Sequence, residues 1–387
     1  MRFRNALLAP IFTVVSLLVK KEEYFVITAL FNTEFSDNSR SIFEQLYSSK
    51  EYKGKVYYVL NDKKKREALN RRYPGCFISN GAYRDIKKII KAKYWITSSL
   101  DCPLPGYFNK YTRTVWFFGH GLPLKKAGLA GNNVSWYKKL YYRLMVTNIS
   151  TIFSTSKYFI PKLAEVYGFK PHDIDLLPAP KAALLAKQKN IEQLPPLLAD
   201  RNKTHVLYAP TWRPYGSVEF FPFDDQGIAA IQAFLEKNNI HVWLRVHPRF
   251  EQELPNELLC ASNIGLFGSA QCEDINCCLR CFDALITDYS SIYFDFLLLH
   301  RPVLFFDYDK RKYDKHVGLF DDYEDTKSAP STRSAEQFFS QLMEIKNNTF
   351  DVTKVVMADE IINYPMPVEK VGEAIIKRLL SEACFSQ

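Results

Sequence analysis

Short apolar runs recur along the chain, and amphipathic segments of helical period separate them. The runs are almost continuously apolar and rich in β-branched and aromatic residues, which is typical of strands covered on both faces. In the first half we predict strands at 24–31, 55–60, 94–99, 114–118 and 151–155, and helices at 40–47, 83–91, 136–146 and 158–167.

A second series of the same kind begins at residue 204. Its predicted strands are 204–209, 241–246, 284–287 and 302–306, its helices are 227–238, 274–282 and 292–299, and a final helix spans 368–383. This alternation predicts parallel, doubly wound sheets. A chain of 387 residues is also long for a single core. We therefore predict two Rossmann-like α/β domains, 1–180 and 181–365, connected through 177–180 and a loop at 188–202, with 366–387 packing back across the domains.

Polar clusters follow three of the predicted strands. They are Gly119-His120-Gly121, Arg245–Pro248 and Asp288–Ser291. Reactive groups of open α/β sheets lie just past the carboxyl ends of the strands. If the strand ends of the two domains face each other, the clusters share one cleft, which suits a large, anionic, nucleotide-linked substrate.

The histidines of these clusters are candidates for proton chemistry. Glycines on both sides of His120 keep bulk away from the imidazole, which exchanges a proton near neutral pH. A histidine in an ordinary surface turn would look the same. His247 either stabilises the oxygen of a leaving phosphate or only bonds a neighbouring loop. His205 and His241 stand at strand starts and are expected to be surface groups.

Phosphate-binding groups are expected mainly in the second domain. The turn before helix 292–299 offers backbone N–H groups together with the hydroxyls of Ser290 and Ser291, which suits an anion. Ser290 would serve as an N-cap in the same place. Arg213 follows a strand end, and Lys125 is either a solvated charge or attracts phosphate.

The overall charge agrees with an anionic partner. The formal net charge of +9 favours a phosphate-bearing substrate, an acidic lipid or nucleic acid. Nucleic acid is disfavoured because the sequence lacks arginine-rich tracts and zinc-finger spacings. The eight cysteines form neither a secreted framework nor a zinc pattern, and Asp307-Tyr308-Asp309 alone does not select a cation. We predict no metal and no cofactor.

The first 19 residues combine an apolar run with basic flanks. The run 6–19 is short for a bilayer-spanning helix, and it lies between Arg2, Arg4, Lys20 and Lys21. A helix lying on the cytoplasmic face of the membrane has this composition. An ordinary buried first helix has it too, and the sequence leaves both possibilities open.

Several motifs together resemble the CDP-glycerol glycerophosphotransferase family, which includes teichoic acid primases and polymerases and related capsule enzymes. The motifs are FSDNSR at 35–40, GHGLPLKKAG at 119–128, YAPTWR at 208–213, RVHP at 245–248 and ITDYSSIYFDFLLLHRPVLFF at 286–306. The resemblance implies a two-domain GT-B fold at the inner membrane face. It also implies transfer of a polyol phosphate from CDP-glycerol or another CDP-polyol to a lipid-linked or glycan acceptor, with release of CMP.

The resemblance implies a role for individual residues as well. His120 would take the proton of the acceptor hydroxyl, while His247 and Arg213 would offset charge on the leaving CMP. The remaining donor-side residues would be Thr211, Arg245, Asp288, Ser290, Ser291 and His316, and the acceptor-side residues would be Asp37, Asn38, Gly119, Gly121 and Lys125.

Three positions depart from the family pattern. Leu122 stands where the family usually has Thr, 177–180 reads LPAP where an Arg-Asn-Asp type of turn is usual, and His316-Val317-Gly318 stands in place of Arg-Gly. Because this arginine is missing, the sequence does not determine which residues contact the donor. His316 either replaces the arginine as a weaker cation or makes no contact with the donor.

Two other functions fit the same pattern. A GT-B glycosyltransferase would use the cleft for a nucleotide sugar, and a non-catalytic membrane-surface scaffold would keep a degenerate cleft. The sequence also leaves open whether the polyol is glycerol or ribitol.

Overall fold

The structure is a computed structural model that describes residues 2–186, 198–200, 202–259 and 262–383. The chain forms two compact units. The first comprises Met1–Leu122, Gly128–Leu184 and Tyr364–Gln387, and the second comprises Pro123–Ala127 and Leu185–Asn363. Most of the predicted connection at 188–202 lies outside the described residues.

The first unit contains a sheet of seven parallel strands among its described residues, in the order β3-β2-β1-β4-β5-β6-β7. The strands are β1 (Glu22–Thr28), β2 (Val56–Val59), β3 (Phe77–Ile78), β4 (Ala92–Thr97), β5 (Thr114–Phe117), β6 (Thr151–Ser154) and β7 (Ile174–Leu176). The helices are α1 (Arg2–Leu18), α2 (Asp37–Ser48), α3 (Lys63–Arg72), α4 (Tyr83–Lys91), α5 (Trp136–Val146) and α6 (Ile160–Tyr167), and α7 (Ala182–Ala186) lies at the boundary with the second unit.

The described part of the second unit contains five parallel strands in the order β10-β9-β8-β11-β12. These are β8 (Thr204–Ala209), β9 (Ile240–Leu244), β10 (Ile264–Leu266), β11 (Ala284–Thr287) and β12 (Val303–Phe305). The helices are α8 (Ile228–Lys237), α9 (Asn256–Leu259), α10 (Ile292–Leu297), α11 (Lys310–His316), α12 (Ala335–Lys346) and α13 (Thr353–Ile362). Aliphatic residues of β8, β9 and β11 pack against Phe338 and Leu342 of α12 to form the core.

Both sheets reverse their strand order next to the first strand. In the first unit β1 lies between β2 and β4, and in the second β8 lies between β9 and β11. The chain leaves the carboxyl ends of two adjacent strands in opposite directions at such a point, which opens a crevice for ligands. The prediction of two Rossmann-like, doubly wound α/β folds is confirmed.

The last helix, α14 (Val368–Glu382), belongs to the first unit. The Tyr94 hydroxyl of β4 donates a hydrogen bond to the carbonyl of Ala383. The indole of Trp116 in β5 donates to Glu382 over 2.5 Å. The last segment of the chain therefore belongs to the first unit, although it follows the second unit in sequence. The predicted boundaries at 180 and 365 do not assign this segment to the first domain.

The predicted helix at 274–282 is wrong. Two short 3-10 turns, Ile275–Cys277 and Leu279–Cys281, occupy this segment. The Asp274 carboxylate accepts a hydrogen bond from the amide of Asn276 at 3.1 Å, and such a local side-chain bond competes with continued helix. Cys277 and Cys281 therefore do not share a helical face.

The elements that the sequence did not predict are mostly short or polar. The edge strands β3, β7 and β10 have only two or three residues, too few to display a period. The helix α3 contains no buried residue and therefore no apolar stripe. Among the residues that the structure describes, none of the helices has both the length and the apolar character required to cross a bilayer.

His205 and His241 are buried, which corrects their prediction as surface groups. The ring of His241 stacks on Trp243 with centroids 3.9 Å apart, and His205 Nδ1 accepts a hydrogen bond from the Trp243 indole at 3.0 Å. Burial lowers the pKa of His241 to about 4, and the neighbouring His205 adds to the effect. Both rings act as parts of the core.

The burial of His241 should lower the unfolding free energy of the protein at acid pH. The pKa of His241 is about 4 in the folded chain and about 6.5 when unfolded, so below pH 6.5 the unfolded state binds a proton that the folded state does not. We expect the wild type to lose about 3 kcal/mol of unfolding free energy between pH 6.5 and 4 that His241→Phe retains. Urea titrations at several pH values measure the difference.

The exposed His172 provides the control, because its ring has ordinary solvent access. The variant His172→Phe should follow the wild-type pH dependence. An unchanged acid dependence in His241→Phe would contradict the assignment.

Candidate functional site

The side chain of Asn38 fixes the loop that carries His120. The Asn38 amide donates hydrogen bonds to the carbonyls of Phe118 at 3.2 Å and Gly119 at 3.0 Å. Its oxygen accepts a hydrogen bond from the amide of Lys181 at 3.0 Å. Asn38 is buried at the start of α2, so this side chain ties the loop after β1 to the loop after β5.

Two further contacts complete this support. Ser39 donates to the carbonyl of Thr28 at 2.8 Å and its hydroxyl lies 2.5 Å from that of Ser98. The carboxylate of Asp37 lies 3.4 Å from the ammonium of Lys181. Asp37 and Asn38, which were predicted on the acceptor side, thus have partners within the protein that hold the loop. Their contact with an acceptor stays a prediction.

His120 itself is exposed and follows Gly119, whose φ of +65° is unfavourable for other residues. Its Nδ1 lies 3.3 Å from the carbonyl of Ser98, a group that only accepts hydrogen bonds. The contact therefore favours the tautomer with the proton on Nδ1. In that tautomer Nε2 carries the lone pair, which is the form required of a base.

A buried ion-pair cluster joins the carboxyl ends of β8, β11 and β12 in the second unit. The guanidinium of Arg213 bonds Asp288 at 2.7 Å and Asp309 at 2.8 Å and 3.0 Å. It also lies over the rings of Tyr289 and Tyr313, 5.1 Å and 5.3 Å from their centroids. The Arg213 side chain has no exposed surface.

Burial and pairing oppose each other in this cluster. Burial disfavours the charged guanidinium, but Asp288 and Asp309 outweigh it and hold the pKa of Arg213 above its ordinary value. Burial raises the pKa of Asp288, although Arg213 and the amide of Thr211 act against it. Burial also acts to raise the pKa of Asp309, but hydrogen bonds from Arg213, Tyr215 and Tyr289 lower it below the ordinary value.

Arg213, Asp288 and Thr211, which were predicted to bind the donor, bond one another within this cluster. The amide of Thr211 donates to both carboxylate oxygens of Asp288, at 2.8 Å and 3.1 Å. All three residues are buried, and their bonds fix the loops at this edge of the sheet. Their contact with a phosphate stays a prediction. Ser290 and Ser291 are half-buried, and the hydroxyl of Ser291 does not cap α10.

His247 lies beside a cavity of about 270 Å³ at the carboxyl ends of β8 and β9. Trp212 and Phe250 line it as well, with their rings stacked 5.9 Å apart at 15°. The Nδ1 of His247 accepts a hydrogen bond from the amide of Arg249 at 3.2 Å. The neutral ring then carries its proton on Nε2, so His247 is a hydrogen-bond donor, the opposite tautomer to His120.

Arg245 and His316, which were predicted to contact the donor, also have hydrogen-bond partners within the protein. Arg245 donates to the carbonyls of Phe267 and Cys272 at 3.1 Å and 2.7 Å. It therefore fixes the loops near His247. The Nδ1 of His316 bonds the carbonyl of Lys312 at 2.8 Å, and its ring packs on Tyr215 with centroids 4.7 Å apart.

Lys125 was predicted on the acceptor side, but the structure places it in the second unit. The segment Pro123–Ala127 belongs to this unit, and Lys125 pairs with Leu319 in an antiparallel bridge. Burial lowers the pKa of Lys125, and the charge of Asp288 acts against that shift. The motif that begins at Gly119 and Gly121 thus divides after Leu122, and its lysine contributes positive charge beside β11.

The carboxylates of the Asp307-Tyr308-Asp309 stretch bind protein cations. Asp307 is fully buried and bonds Lys327 at 2.9 Å and Arg333 at 3.0 Å, and Asp309 bonds Arg213. In the part of the chain that the structure describes, no group of three histidine, cysteine or acidic side chains is arranged to hold a metal ion. The sulfur atoms of Cys272 and Cys278 lie 2.8 Å apart in the core.

Sequence reasoning missed three features of the candidate site. Trp212 and Phe250 form an aromatic wall, and their separation by 38 positions gave no local signal. Asp309 completes the ion-pair cluster, although its place after a strand end was visible in the sequence. The supporting role of Asn38 was hidden because a polar residue at a helix start is usually explained by capping.

Two parallel, doubly wound sheets, each with polar loops at its carboxyl edge, define a protein of the GT-B class. The chain belongs to the family described as CDP-glycerol:poly(glycerophosphate) glycerophosphotransferase, which it matches over residues 11–361. The family is one of transferase enzymes, as the sequence motifs predicted.

Individual relatives agree with this assignment. The chain is 25% identical over 372 residues to a teichoic acid poly(glycerol phosphate) polymerase of Bacillus spizizenii, with 90% of each chain covered. It is 26% identical over 379 residues to the Bacillus subtilis polymerase of the same name, with 89% of this chain and 48% of the relative covered. It therefore spans most of one relative and about half of the other.

Solved structures show the same fold. The wall teichoic acid polymerase TagF superimposes with a TM-score of 0.76 at 19% sequence identity, over 94% of this chain and 90% of that chain. At this identity the similarity concerns the fold.

The ion-pair cluster generates a prediction about stability. Arg213→Met should lower the unfolding free energy by about 3–5 kcal/mol, because it leaves the buried carboxylate of Asp288 uncompensated. The loss should shrink towards acid pH, since Asp288, whose pKa burial raises, then folds in its protonated, neutral form. Urea unfolding at pH 7.5 and pH 5 measures both effects.

Arg311→Met on the exposed side of α11 is the matched control and should change stability by less than about 0.5 kcal/mol. Equal losses in the two variants would show that the buried cluster contributes no more than a surface arginine.

Proposed function

We propose that the protein transfers a polyol phosphate, with glycerol phosphate as the first candidate, from a CDP-activated donor to a hydroxyl of a lipid-linked or glycan acceptor in teichoic acid or capsule synthesis. The observation that carries the proposal is the complementary state of the two histidines. His120 presents a lone pair on Nε2, and His247 presents an N–H. Transfer of a phosphoryl group requires one of each: a base for the nucleophile and a donor for the leaving group.

The second unit supplies the donor site in this proposal. The stacked rings of Trp212 and Phe250 offer an aromatic face to a nucleobase, since base stacking on aromatic side chains is favourable by about 1–3 kcal/mol. His247 at the same cavity donates a hydrogen bond from its Nε2–H group to the phosphate that becomes CMP, which offsets the charge that develops there. The hydroxyls of Ser290 and Ser291 and the positive charge of Lys125 lie at the neighbouring strand end, where they attract the remaining phosphate charge.

The first unit supplies the base. His120 Nε2 takes the proton as the acceptor hydroxyl attacks the β-phosphorus of the donor. A new phosphorus–oxygen bond forms, the bond between that phosphorus and the bridging oxygen breaks, and CMP leaves with the electron pair. Positioning and charge stabilisation contribute most of the rate in such a transfer, and Asn38 contributes by fixing the loop that carries the base.

The histidine assignments predict distinct kinetic losses. His120→Ala should lower kcat by about 10²–10⁴-fold, the usual contribution of a general base, with little change in the KM for the donor. His247→Ala should lower kcat and also raise the donor KM, because it contacts the donor before reaction. CMP release from CDP-glycerol and from CDP-ribitol, with mass spectrometry of the product, measures both variants and identifies the transferred group.

His172→Ala changes an exposed histidine outside both loops and should retain wild-type turnover. Full activity of a folded His120→Ala would refute the assignment of the base. A glycosidic bond in the product would refute phosphate transfer and support the glycosyltransferase alternative.

We further propose that the first unit binds the cytoplasmic face of the membrane through α1 and α5. Helix α1 packs inward through small and polar residues, since Ala9 and Ser16 are buried. Its outward face exposes Leu8, Ile11, Val14, Val15, Leu17 and Leu18. This arrangement inverts the usual amphipathic pattern of a surface helix.

Helix α5 has the same unusual surface. None of its residues is fully buried, and Trp136, Tyr137 and Leu140 are exposed. It carries Lys138, Lys139 and Arg143 and no acidic residue. Exposed aromatic and aliphatic side chains beside basic ones are typical of helices that lie at an anionic membrane surface.

The proposed membrane surface predicts the outcome of a flotation experiment. The double variant Ile11→Glu, Leu18→Glu should reduce binding to vesicles that contain an anionic lipid by at least tenfold, since it places two charges in the apolar region. The variant Met357→Glu, Ile361→Glu introduces the same charges on exposed apolar positions of α13 and should bind as the wild type does. Equal binding by all three proteins would exclude this surface.

A further inference from the structure

A cavity of about 220 Å³ lies in the first unit between α1, α5 and the segment 101–107. Side chains that line it include Ala9, Leu104, Tyr107, Leu140, Leu144 and Met145. Aliphatic cavities of about 150 Å³ remain dry and hold a molecule of the size of benzene. This cavity therefore has room for several methylene groups.

Tyr141 and Asn148, two polar residues of the cavity wall, already have partners within the protein. The hydroxyl of Tyr141 donates to Asp101 over 2.7 Å. The amide of Asn148 donates to the carbonyl of Gly106 at 2.9 Å and accepts from Asn109 at 2.8 Å. Since these groups are satisfied within the wall, the interior favours a hydrocarbon over a polar ligand.

The cavity lies close to the candidate base along the chain. The carbonyl of Ser98 contacts Nδ1 of His120, and Asp101, three residues later, lines the cavity. Three residues span at most about 11 Å. A molecule whose head reaches His120 can therefore place its tail in the cavity.

The mouth of the cavity is continuous with the proposed membrane surface. Tyr137 and Leu140 line the cavity and are also exposed, 66% and 47% of their surface being accessible. The basic residues Lys138, Lys139 and Arg143 of the same helix complement an anionic headgroup. A chain that leaves the bilayer next to α5 would enter the cavity without crossing water.

We propose that this cavity binds a segment of the hydrocarbon chain of the lipid-linked acceptor and so selects acceptors by the length of their chain. The proposal rests on the proposed function for the identity of the ligand, because the acceptor is the molecule that must reach His120. It assigns the first unit a binding site for hydrocarbon, separate from the surface contact of α1 with the membrane.

A binding experiment tests the cavity without relying on transfer. Decyl phosphate and butyl phosphate, titrated calorimetrically below micelle-forming concentrations, carry the same headgroup and differ by six methylenes. Each methylene that enters an apolar site changes a dissociation constant about fourfold. We expect decyl phosphate to bind wild-type protein at least 100-fold more tightly than butyl phosphate.

Leu144→Trp should fill the cavity and reduce that ratio to less than tenfold. Leu140→Trp narrows the mouth at a half-exposed position that tolerates a larger ring, and it should act in the same direction if Leu144→Trp does not fold. Ile361→Trp, an equally large change on the exposed surface of α13, is the matched control and should keep the wild-type ratio.

Transfer assays then test the assignment to the acceptor. With acceptors that carry decyl or butyl tails, the cavity variants should raise the KM for the decyl acceptor at least tenfold and leave the KM for the butyl acceptor and for the donor unchanged. Equal binding of decyl and butyl phosphate by the wild type would overturn the assignment of the cavity as a hydrocarbon site. If decyl phosphate binds more tightly than butyl phosphate but no transfer occurs, the proposed function is refuted and the assignment of the hydrocarbon site stands.

Discussion

The structure depends on one constraint, namely that a parallel sheet ends all its strands at the same edge. The loops at that edge carry polar groups that must find partners within the protein. The second unit meets this need with Arg213, whose guanidinium joins the loops after β8, β11 and β12 through Asp288 and Asp309. The first unit meets it with the neutral amide of Asn38, which joins the loops after β1 and β5.

These two arrangements explain why the candidate catalytic groups lie beside the buried ion pairs and do not take part in them. A buried ion pair must be complete, because an unpaired buried charge is strongly destabilising. Arg213 is paired with both carboxylates, whereas His120 and His247 are exposed and Lys125 is half-buried. In the proposed function the two imidazoles act through the tautomers that neighbouring backbone groups favour at each site.

The sequence predicted the sheets well because their central strands are buried on both faces and appear as continuous apolar runs. It predicted β11 and α5 with the bounds that the structure has. It failed at edge strands of two or three residues, where no period exists, and at 274–282, where an Asp274 side chain interrupts the helix. Three-dimensional partners were also invisible, so the pairing of Arg213 with Asp288 and Asp309 was not predicted, and Lys125 was assigned to the first domain although it belongs to the second unit.

The outward apolar face of α1 is a further feature that the sequence pattern could not predict. An apolar run of 14 residues predicts a buried helix or a membrane-surface helix equally well, because hydrophobicity alone does not say which face packs inward. In the structure the small residues Ala9 and Ser16 are buried, and the larger aliphatic side chains are exposed. A core helix would have the reverse arrangement, since large side chains bury more surface. The proposed membrane contact therefore rests on the orientation of the helix and not on its composition.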